Sequence, residues 1–198
     1  MFDCDGVLAD SEHVSYEAWR AALLLHGHDL SAEDFSSSIG TTDRDVAELW
    51  APRLDSSPDV IESDARKAFL DRVGDIDVFD DAIALRDRLD IPVAVGTNSA
   101  RWRLDAILDG TGLRERFSLT VTASDVERPK PAPDIYLAAF EAMGVDPEVG
   151  LVIEDSPSGI GAARASGAWV LAVDRGHLPA EALAGAHRIV TSLATDDR

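Results

Sequence analysis

Gly150-Leu-Val-Ile-Glu-Asp-Ser-Pro-Ser-Gly-Ile-Gly-Ala-Ala-Arg-Ala-Ser-Gly-Ala-Trp-Val-Leu-Ala-Val173 decides the fold. Two short apolar runs, 150–153 and 169–173, flank a helical pattern over 159–165. Gly159 and Gly161 would let that helix lie close to a sheet. Strand, helix and strand in so few residues make a parallel pair joined by a crossover. Working outward, further strand patterns fall at 91–96, 117–122 and 189–190, with helical patterns at 101–109 and 133–143 between them. This alternation predicts an α/β fold, a three-layer Rossmann-like parallel sheet with helices on both faces. In such a sheet, ligands bind outside the carboxyl ends of the strands.

Residues 11–76 break the alternation. Helical patterns over 14–26, 43–53 and 61–73 are separated by Gly, Ser and Pro, and Asp55-Ser-Ser-Pro-Asp59 reads as a turn before a helix start. No strand pattern lies among them. The expected organisation is a catalytic core of residues 1–10 and 79–198 and an inserted all-helical cap of residues 11–78.

The chain has 198 residues, 45% of them hydrophobic and 28% charged, with a formal net charge of −19. A chain of this length buries enough surface to fold without disulfides or a structural metal. Such an acidic surface repels phosphate backbones and anionic lipid, which argues against a nucleic-acid or membrane-surface binder. No apolar run is long enough to span a bilayer. Cys4 is the single cysteine, so no internal disulfide forms. The opening Met-Phe-Asp-Cys-Asp-Gly has neither a basic nor an apolar leader segment. The expectation is a cytoplasmic protein, monomeric or weakly dimeric.

Polar residues recur where strands should end: Asp3 and Asp5 with Gly6, then Thr97-Asn98-Ser99, then Glu154-Asp155. Taken singly, each acid reads as a turn residue of a very acidic chain. Taken together, parallel strands would bring them to one rim, where carboxylates repel unless a cation sits among them. An all-oxygen ligand set suits Mg²⁺. Lysine occurs only at positions 67 and 130, and Lys130 lies in Arg128-Pro-Lys-Pro-Ala-Pro133, where prolines keep it out of a helix. An ammonium held beside an acid cluster suits a phosphoryl group. Gly159-Ile-Gly161-Ala-Ala-Arg164 is set aside as a dinucleotide fingerprint, because Arg164 fills its third small position and Glu154-Asp155 its glycine turn. Cys4 reads as a small buried residue, and His26, His28, His177 and His187 as surface or satisfied histidines.

These residues carry a resemblance. Asp3-Cys-Asp-Gly-Val-Leu-Ala-Asp10, Thr97-Asn-Ser99, Lys130-Pro-Ala-Pro-Asp-Ile-Tyr136 and Glu154-Asp-Ser-Pro-Ser-Gly159 resemble, in order, the four motifs of the haloacid dehalogenase-like hydrolases. The β-phosphoglucomutase-like branch, with a helical cap after the first motif, is the nearest pattern. The resemblance implies Asp3 as nucleophile, forming an aspartyl-phosphate, and Asp5 as general acid and then base, with its carbonyl on the metal. It implies Thr97 and the Asn98 N–H as phosphate ligands and Lys130 as the residue that neutralises the phosphoryl oxygens. Asp155 would bind Mg²⁺ directly, with Glu154 beside it or through water. Dehalogenase members lack an acid two residues after the nucleophile and need no metal, so Asp5 favours phosphate esters.

The cap decides between hydrolysis and phosphoryl transfer within a sugar phosphate. The mutases' hinge histidine aligns with Ser15, and the nearest imidazole, His13, lies about 200° away around a helix. Their phosphate-gripping arginine aligns near Asp43 in Ile39-Gly-Thr-Thr-Asp-Arg44, with Arg44 one residue late. The expected function is a Mg²⁺-dependent phosphatase acting on a small phosphorylated metabolite, a sugar phosphate or phosphoglycolate. Ser15, Thr42 and Arg44 are the candidate cap contacts, with His13 and Trp19 also in reach. A sugar-phosphate mutase and a non-catalytic protein on the same fold are the alternatives. The reading fails if Asp3 and Asp155 lie more than about 10 Å apart, since each must come within ~2.1 Å of a shared Mg²⁺.

Family members carry about five apolar residues before the first aspartate, whereas only Met1 and Phe2 precede Asp3 here. Several aliphatic side chains of a central strand, each contributing roughly 1.5–3 kcal/mol when buried, would be missing. The native protein is therefore expected to begin several residues upstream, and an N-terminally extended chain to melt at a higher temperature than this one.

Overall fold

The computed structural model describes residues 1–36 and 41–194. In chain order the elements are β1 (Ala9–Asp10), α1 (Glu12–Leu25), α2 (Ala32–Ser36), α3 (Asp43–Trp50), α4 (Pro58–Leu70), β2 (Asp77–Val78), α5 (Asp80–Arg88), β3 (Val95–Thr97), α6 (Arg101–Gly110), β4 (Thr120–Thr122), α7 (Asp134–Met143), β5 (Leu151–Glu154), α8 (Pro157–Ala165), β6 (Trp169–Val173) and β7 (Arg188–Val190). β4 pairs with β3, and β5, β6 and β7 pair in turn, every pairing parallel.

Met1–Asp3 joins the two halves of the sheet. Phe2 bridges Val95 on one side and Ile153 on the other. The Phe2 N–H donates to Ala94 O at 2.9 Å and Gly96 N–H to Phe2 O at 2.9 Å. Across the other edge, Ile153 N–H donates to Met1 O and Asp3 N–H to Ile153 O, each at 3.0 Å. The Met1 ammonium donates to Leu151 O at 2.8 Å, and burial lowers its pKa to about 5. Three residues thus occupy the centre of the sheet, and the third is Asp3.

Alternate residues of each strand enter opposite cores, as a period of two requires. Met1, Ala94, Val152 and Ala172 pack with α7 and α8 through Ile135, Tyr136, Phe140 and Ile160. Phe2, Val95, Ile153 and Val173 face the other way, against Leu104, Ile107 and Leu108 of α6 and Phe117. These are the three layers that the strand–helix alternation predicts.

Among the described residues, α1–α4 form an all-helical unit with its own core of Trp19, Leu23, Leu30, Phe35, Val46, Trp50 and Ile61. α4 packs on α1 and α3. The chain leaves and re-enters the α/β layers through an antiparallel pair, β1 with β2, in which Ala9 faces Val78. No described helix is long and apolar enough to cross a membrane.

Some elements differ from the sequence patterns. β3 covers only the end of the 91–96 pattern, because Ile91 is 64% exposed and Pro92 cannot donate to a ladder. β4 likewise keeps only the last three residues of its pattern, after a 3₁₀ turn at Arg114–Arg116. α8 begins two residues before the apolar pattern, with Ser156 as N-cap and Pro157 in the first turn. α5 has no counterpart in the pattern because Ala82 is its only fully buried residue.

α5 nonetheless anchors the far edge of the core. Asp81 accepts two hydrogen bonds from Arg175, each at 2.9 Å, one from Leu193 N–H at 2.7 Å and one from Ser192 Oγ at 3.0 Å. Burial pushes the Asp81 pKa up, but Arg175, Leu193 and Ser192 outweigh it and hold the pKa at about 2. Stability from this carboxylate is present above about pH 4, the usual unfolded value, and is lost as pH falls toward 2. Asp81→Ala is expected to cost about 2 kcal/mol at pH 7 by urea denaturation, with little remaining difference between the two proteins near pH 2.

Candidate active site

The floor of the site is made by strand ends. Asp3 follows Phe2, Thr97 ends β3 and Glu154 ends β5, so three neighbouring parallel strands deliver them to one rim. Lys130 reaches the same point from the loop after β4. Its Nζ donates to Asp3 Oδ1 at 2.8 Å and to Glu154 Oε1 at 2.6 Å. Both the ammonium and Glu154 are buried, while Asp3 keeps an opening to the cleft. Burial works against the lysine's charge, but Asp3 and Glu154 more than offset it, and its pKa is raised.

The Lys130 loop is clamped by Asn98. Asn98 Oδ1 accepts from the Lys130 N–H at 2.8 Å and its Nδ2 donates to the Lys130 carbonyl at 3.0 Å. The Asn98 side chain thereby ties the end of β3 to the backbone of Lys130. Thr97 Oγ1 accepts from the Ser99 N–H at 3.0 Å and keeps its own proton to donate.

Glu154 is fully engaged. Besides Lys130, Oε1 accepts from the Tyr136 hydroxyl at 2.6 Å. Oε2 accepts from Asp155 N–H at 3.0 Å, Ser156 N–H at 3.1 Å and Ser156 Oγ at 3.0 Å. Burial opposes its charge, but Lys130 and these donors hold its pKa below the usual carboxylate range. Two glycines make room for the acids. A Cβ on Gly159 would lie 1.7 Å from Glu154 Oε1, and one on Gly6 1.8 Å from Asp155 Oδ2. Gly6 also has φ +76°, which side chains other than glycine's rarely adopt. Gly161, by contrast, would meet only Pro131 Cβ at 3.7 Å, an ordinary contact.

Asp3, Glu154 and Asp155 offer oxygens all within 4.8 Å of one another, well inside the separation at which the reading would fail. Burial first, and then Glu154, raise the Asp3 pKa to about 7 against the pull of Lys130. Burial and the same neighbours push Asp155 well above the carboxylate range. One ammonium does not balance two buried carboxylates and a third that is partly buried. The all-oxygen donor set, with excess negative charge, fits a hard divalent cation. Asp3 and Asp155 have oxygens to give it, whereas Glu154 has spent its own.

Asp5 lies on the cleft side of Asp3. Its oxygens accept from Ser11 Oγ and, at 2.7 Å, from Ser99 Oγ, and Arg103 Nη2 lies 3.5 Å away. Burial raises the Asp5 pKa, but Arg103, Ser11 and Ser99 bring it below the usual value. Cys4, between the two aspartates, is buried, and burial pushes its thiol well above its ordinary pKa.

A cavity of about 170 Å³ opens above these residues and is walled by the helical unit. Of the cap positions read from sequence, Ser15, Trp19 and Thr42 line it. Ser15 Oγ donates to Ser11 O at 2.7 Å and accepts from Arg103. Thr42 is the N-cap of α3: its Oγ1 accepts from Asp45 N–H, and Asp45 accepts from Thr42 N–H, each at 3.1 Å. Arg44 is not in the cavity. It pairs with Glu48 at 2.8 Å, Asp59 at 2.5 Å and Glu62 at 3.4 Å on the cap's outer side, because one residue beyond Asp43 turns the side chain about 100° around α3. His13 is exposed and does not line the cavity, and Ile39 and Gly40 of that loop lie outside the described residues. His177 is exposed, as expected, and borders the cavity 3.8 Å from Glu12.

Arg103 was not anticipated. It lies on the buried face of α6 with Leu104, Ile107 and Leu108, its guanidinium 4.1 Å above the Phe69 ring and 4.0 Å from Asp43. A cation at core spacing in an otherwise apolar helix face was the available signal.

The haloacid dehalogenase-like hydrolase family model matches residues 1–167. Fructose-1-phosphate phosphatase YqaB of Escherichia coli is 32% identical over 84% of this chain and 91% of its own length. Validoxylamine A 7'-phosphate phosphatase of Streptomyces hygroscopicus subsp. limoneus is 32% identical over 98% and 92% respectively. Crystal structures of CbbY from Rhodobacter sphaeroides, one with phosphate and one of a mutant with xylulose-(1,5)bisphosphate, superpose with a TM-score of 0.86 at 25% identity, covering 98% of this chain and 93% of theirs. Strand-end acids gathered around a buried lysine under a helical cap, the matching family model and phosphatases as relatives lead to one assignment. The chain belongs to the haloacid dehalogenase-like hydrolases and is a phosphoric monoester hydrolase.

Proposed function

We propose that the protein is a Mg²⁺-dependent phosphatase that hydrolyses a small phosphorylated metabolite through an aspartyl-phosphate on Asp3. The observation that carries this reading is the placement of Asp3. Lys130 engages Oδ1, which leaves Oδ2 of this cavity-lining residue for attack on phosphorus. Attack forms the Asp3–phosphorus bond and breaks the ester bond. Asp5, whose pKa is held below the usual carboxylate value, takes up a proton from solvent and passes it to the departing oxygen; as the carboxylate it then takes one from the water that cleaves the acyl-phosphate. Thr97 Oγ1 and the Asn98 N–H donate to the phosphoryl oxygens, and Lys130 stabilises the charge that builds on them. Asp3, Asp155 and the Asp5 carbonyl would hold the Mg²⁺, with Glu154 contributing charge from behind; the ion supplies positive charge against the phosphoryl oxygens.

Water as the acceptor is supported by the cap. Ser15 stands at the hinge position and is bound to Arg103, and Arg44 faces away from the cleft. A cap of residues 11–78 closing over a core of residues 1–10 and 79–198 accounts for the cavity between them. A soluble cytoplasmic enzyme, monomeric or weakly dimeric, with no nucleic-acid or membrane partner, fits its composition.

Release of p-nitrophenol from p-nitrophenyl phosphate with Mg²⁺ tests this. Asp3→Asn is expected to lower kcat by roughly four orders of magnitude or more, Lys130→Met by about 10²–10³, and EDTA to abolish turnover. Activity retained in Asp3→Asn would overturn the mechanism. Because Asp3 without a cation titrates near pH 7, protons compete with the metal. The Mg²⁺ concentration giving half-maximal rate is expected to rise as pH falls from 8 to 6, by up to about tenfold per unit for each proton displaced. Gly159→Ala is expected to reduce activity together with melting temperature, since its methyl must displace the Glu154 carboxylate that holds Lys130.

A further inference from the structure

Among the described residues, Lys130 and Arg103 are the two lysine or arginine side chains lining the cavity, facing six carboxylates. Lys130 is consumed at the phosphoryl end by Asp3 and Glu154. Arg103 lies at the other end, past Asp5, where the proposed mechanism puts the leaving group. Its guanidinium is already met on two sides, by Asp5 at 3.5 Å and Asp43 at 4.0 Å, and donates to Ser15. Asp43 is fixed at the first position of α3 by the Thr42–Asp45 capping box, so this counter-charge belongs to the framework of the cap. Asp10 and Glu12 add acceptors, and His177, the one imidazole in the cavity, sits beside Glu12.

We propose that the Asp43–Arg103 pair is a specificity-determining element that cancels the one cation facing the leaving group, so that the enzyme selects monophosphates with uncharged, polyhydroxylated leaving groups and rejects those with a second anion. Recognising a carboxylate or second phosphate requires an Arg or Lys with donors to spare. Here two carboxylates, at 3.5 and 4.0 Å, already balance the guanidinium's charge, and the other acids lining the cavity repel an anion. Substrate hydroxyl groups, in contrast, can donate to Asp10, Glu12 and Asp43, which line the cavity. This inference rests on the phosphatase reading and deepens it, separating sugar phosphates from phosphoglycolate and from bisphosphates such as that seen with CbbY.

The test compares kcat/KM of the full chain with Mg²⁺ for fructose 1-phosphate, phosphoglycolate and fructose 1,6-bisphosphate, with p-nitrophenyl phosphate as a measure of basal turnover. Fructose 1-phosphate is expected to exceed both anionic substrates by at least about tenfold, the size of one charge-assisted hydrogen bond withheld. Asp43→Asn, which removes one of the two charges balancing Arg103, is expected to shrink that ratio by about tenfold. Equal or better use of phosphoglycolate or the bisphosphate by the wild type would overturn the inference, as would an unchanged ratio in a folded Asp43→Asn protein. The wild-type ratio decides the matter alone if the variant does not fold. Failure of the wild type to hydrolyse p-nitrophenyl phosphate would instead sink the phosphatase reading, so the two failures are distinguishable.

Discussion

The site depends on one buried ammonium, that of Lys130, suspended between Asp3 and Glu154. A lysine this deep keeps its charge only if the desolvation penalty is met by close, well-oriented partners. Glu154 meets it because its other lone pairs are occupied by Tyr136, Asp155 and Ser156, which fix the carboxylate's orientation. The Asn98 clamp fixes the backbone from which the lysine extends. Four separate chain segments, at the N-terminal stub and after β3, β4 and β5, are thereby tied to a single point. Loss of Asp3, Lys130 or Glu154 leaves a charge unpaired in the interior, so the lysine and its two carboxylates stand or fall together.

That arrangement also explains why two positions near it must be glycine. The carboxylates of Asp155 and Glu154 occupy the volumes that a Cβ at Gly6 or Gly159 would take. The helix α8 comes as near to the sheet as Gly159 allows. Its Ser156 cap serves both helix and site, accepting from Gly159 N–H at 3.1 Å while donating to Glu154. The helix start and the acid site are therefore the same piece of chain.

The sequence made the core legible and the cap only in outline. Residues at strand ends carry polar side chains where an apolar run stops, so Asp3, Thr97 and Glu154 announced themselves, and the structure brings them together. The extents of β3 and β4 were overread because Ile91, Val93 and Phe117 look like strand residues, yet only the ends of those patterns pair. Burial and beta propensity coincide in such runs, and ladder partners are not visible in one strand alone. Arg44 and Arg103 show the same limit for charges. Helical position sends Arg44 outward to Glu48 and Asp59, while Arg103, at core spacing on α6, points inward over Phe69. An arginine's length and charge favour the surface reading in both places; only tertiary packing separates them.

Asp5 connects the two parts of the molecule. The cap has its own apolar core and is joined to the sheet layers by the two short strands β1 and β2. Of the groups holding Asp5, Ser99 belongs to the core alone. Ser11 is the residue from which α1 starts, and Arg103 is bonded to Ser15 one turn into α1. A displacement of α1 relative to the sheet therefore acts on the Asp5 carboxylate directly, through two of its three partners. Asp3, held by Lys130 and the strand hydrogen bonds, has no hydrogen-bond partner among the described residues of the cap and does not share that sensitivity. In the proposed mechanism, nucleophile and proton donor stand two residues apart in sequence, yet one is anchored to the sheet and the other to the seam between sheet and helical unit.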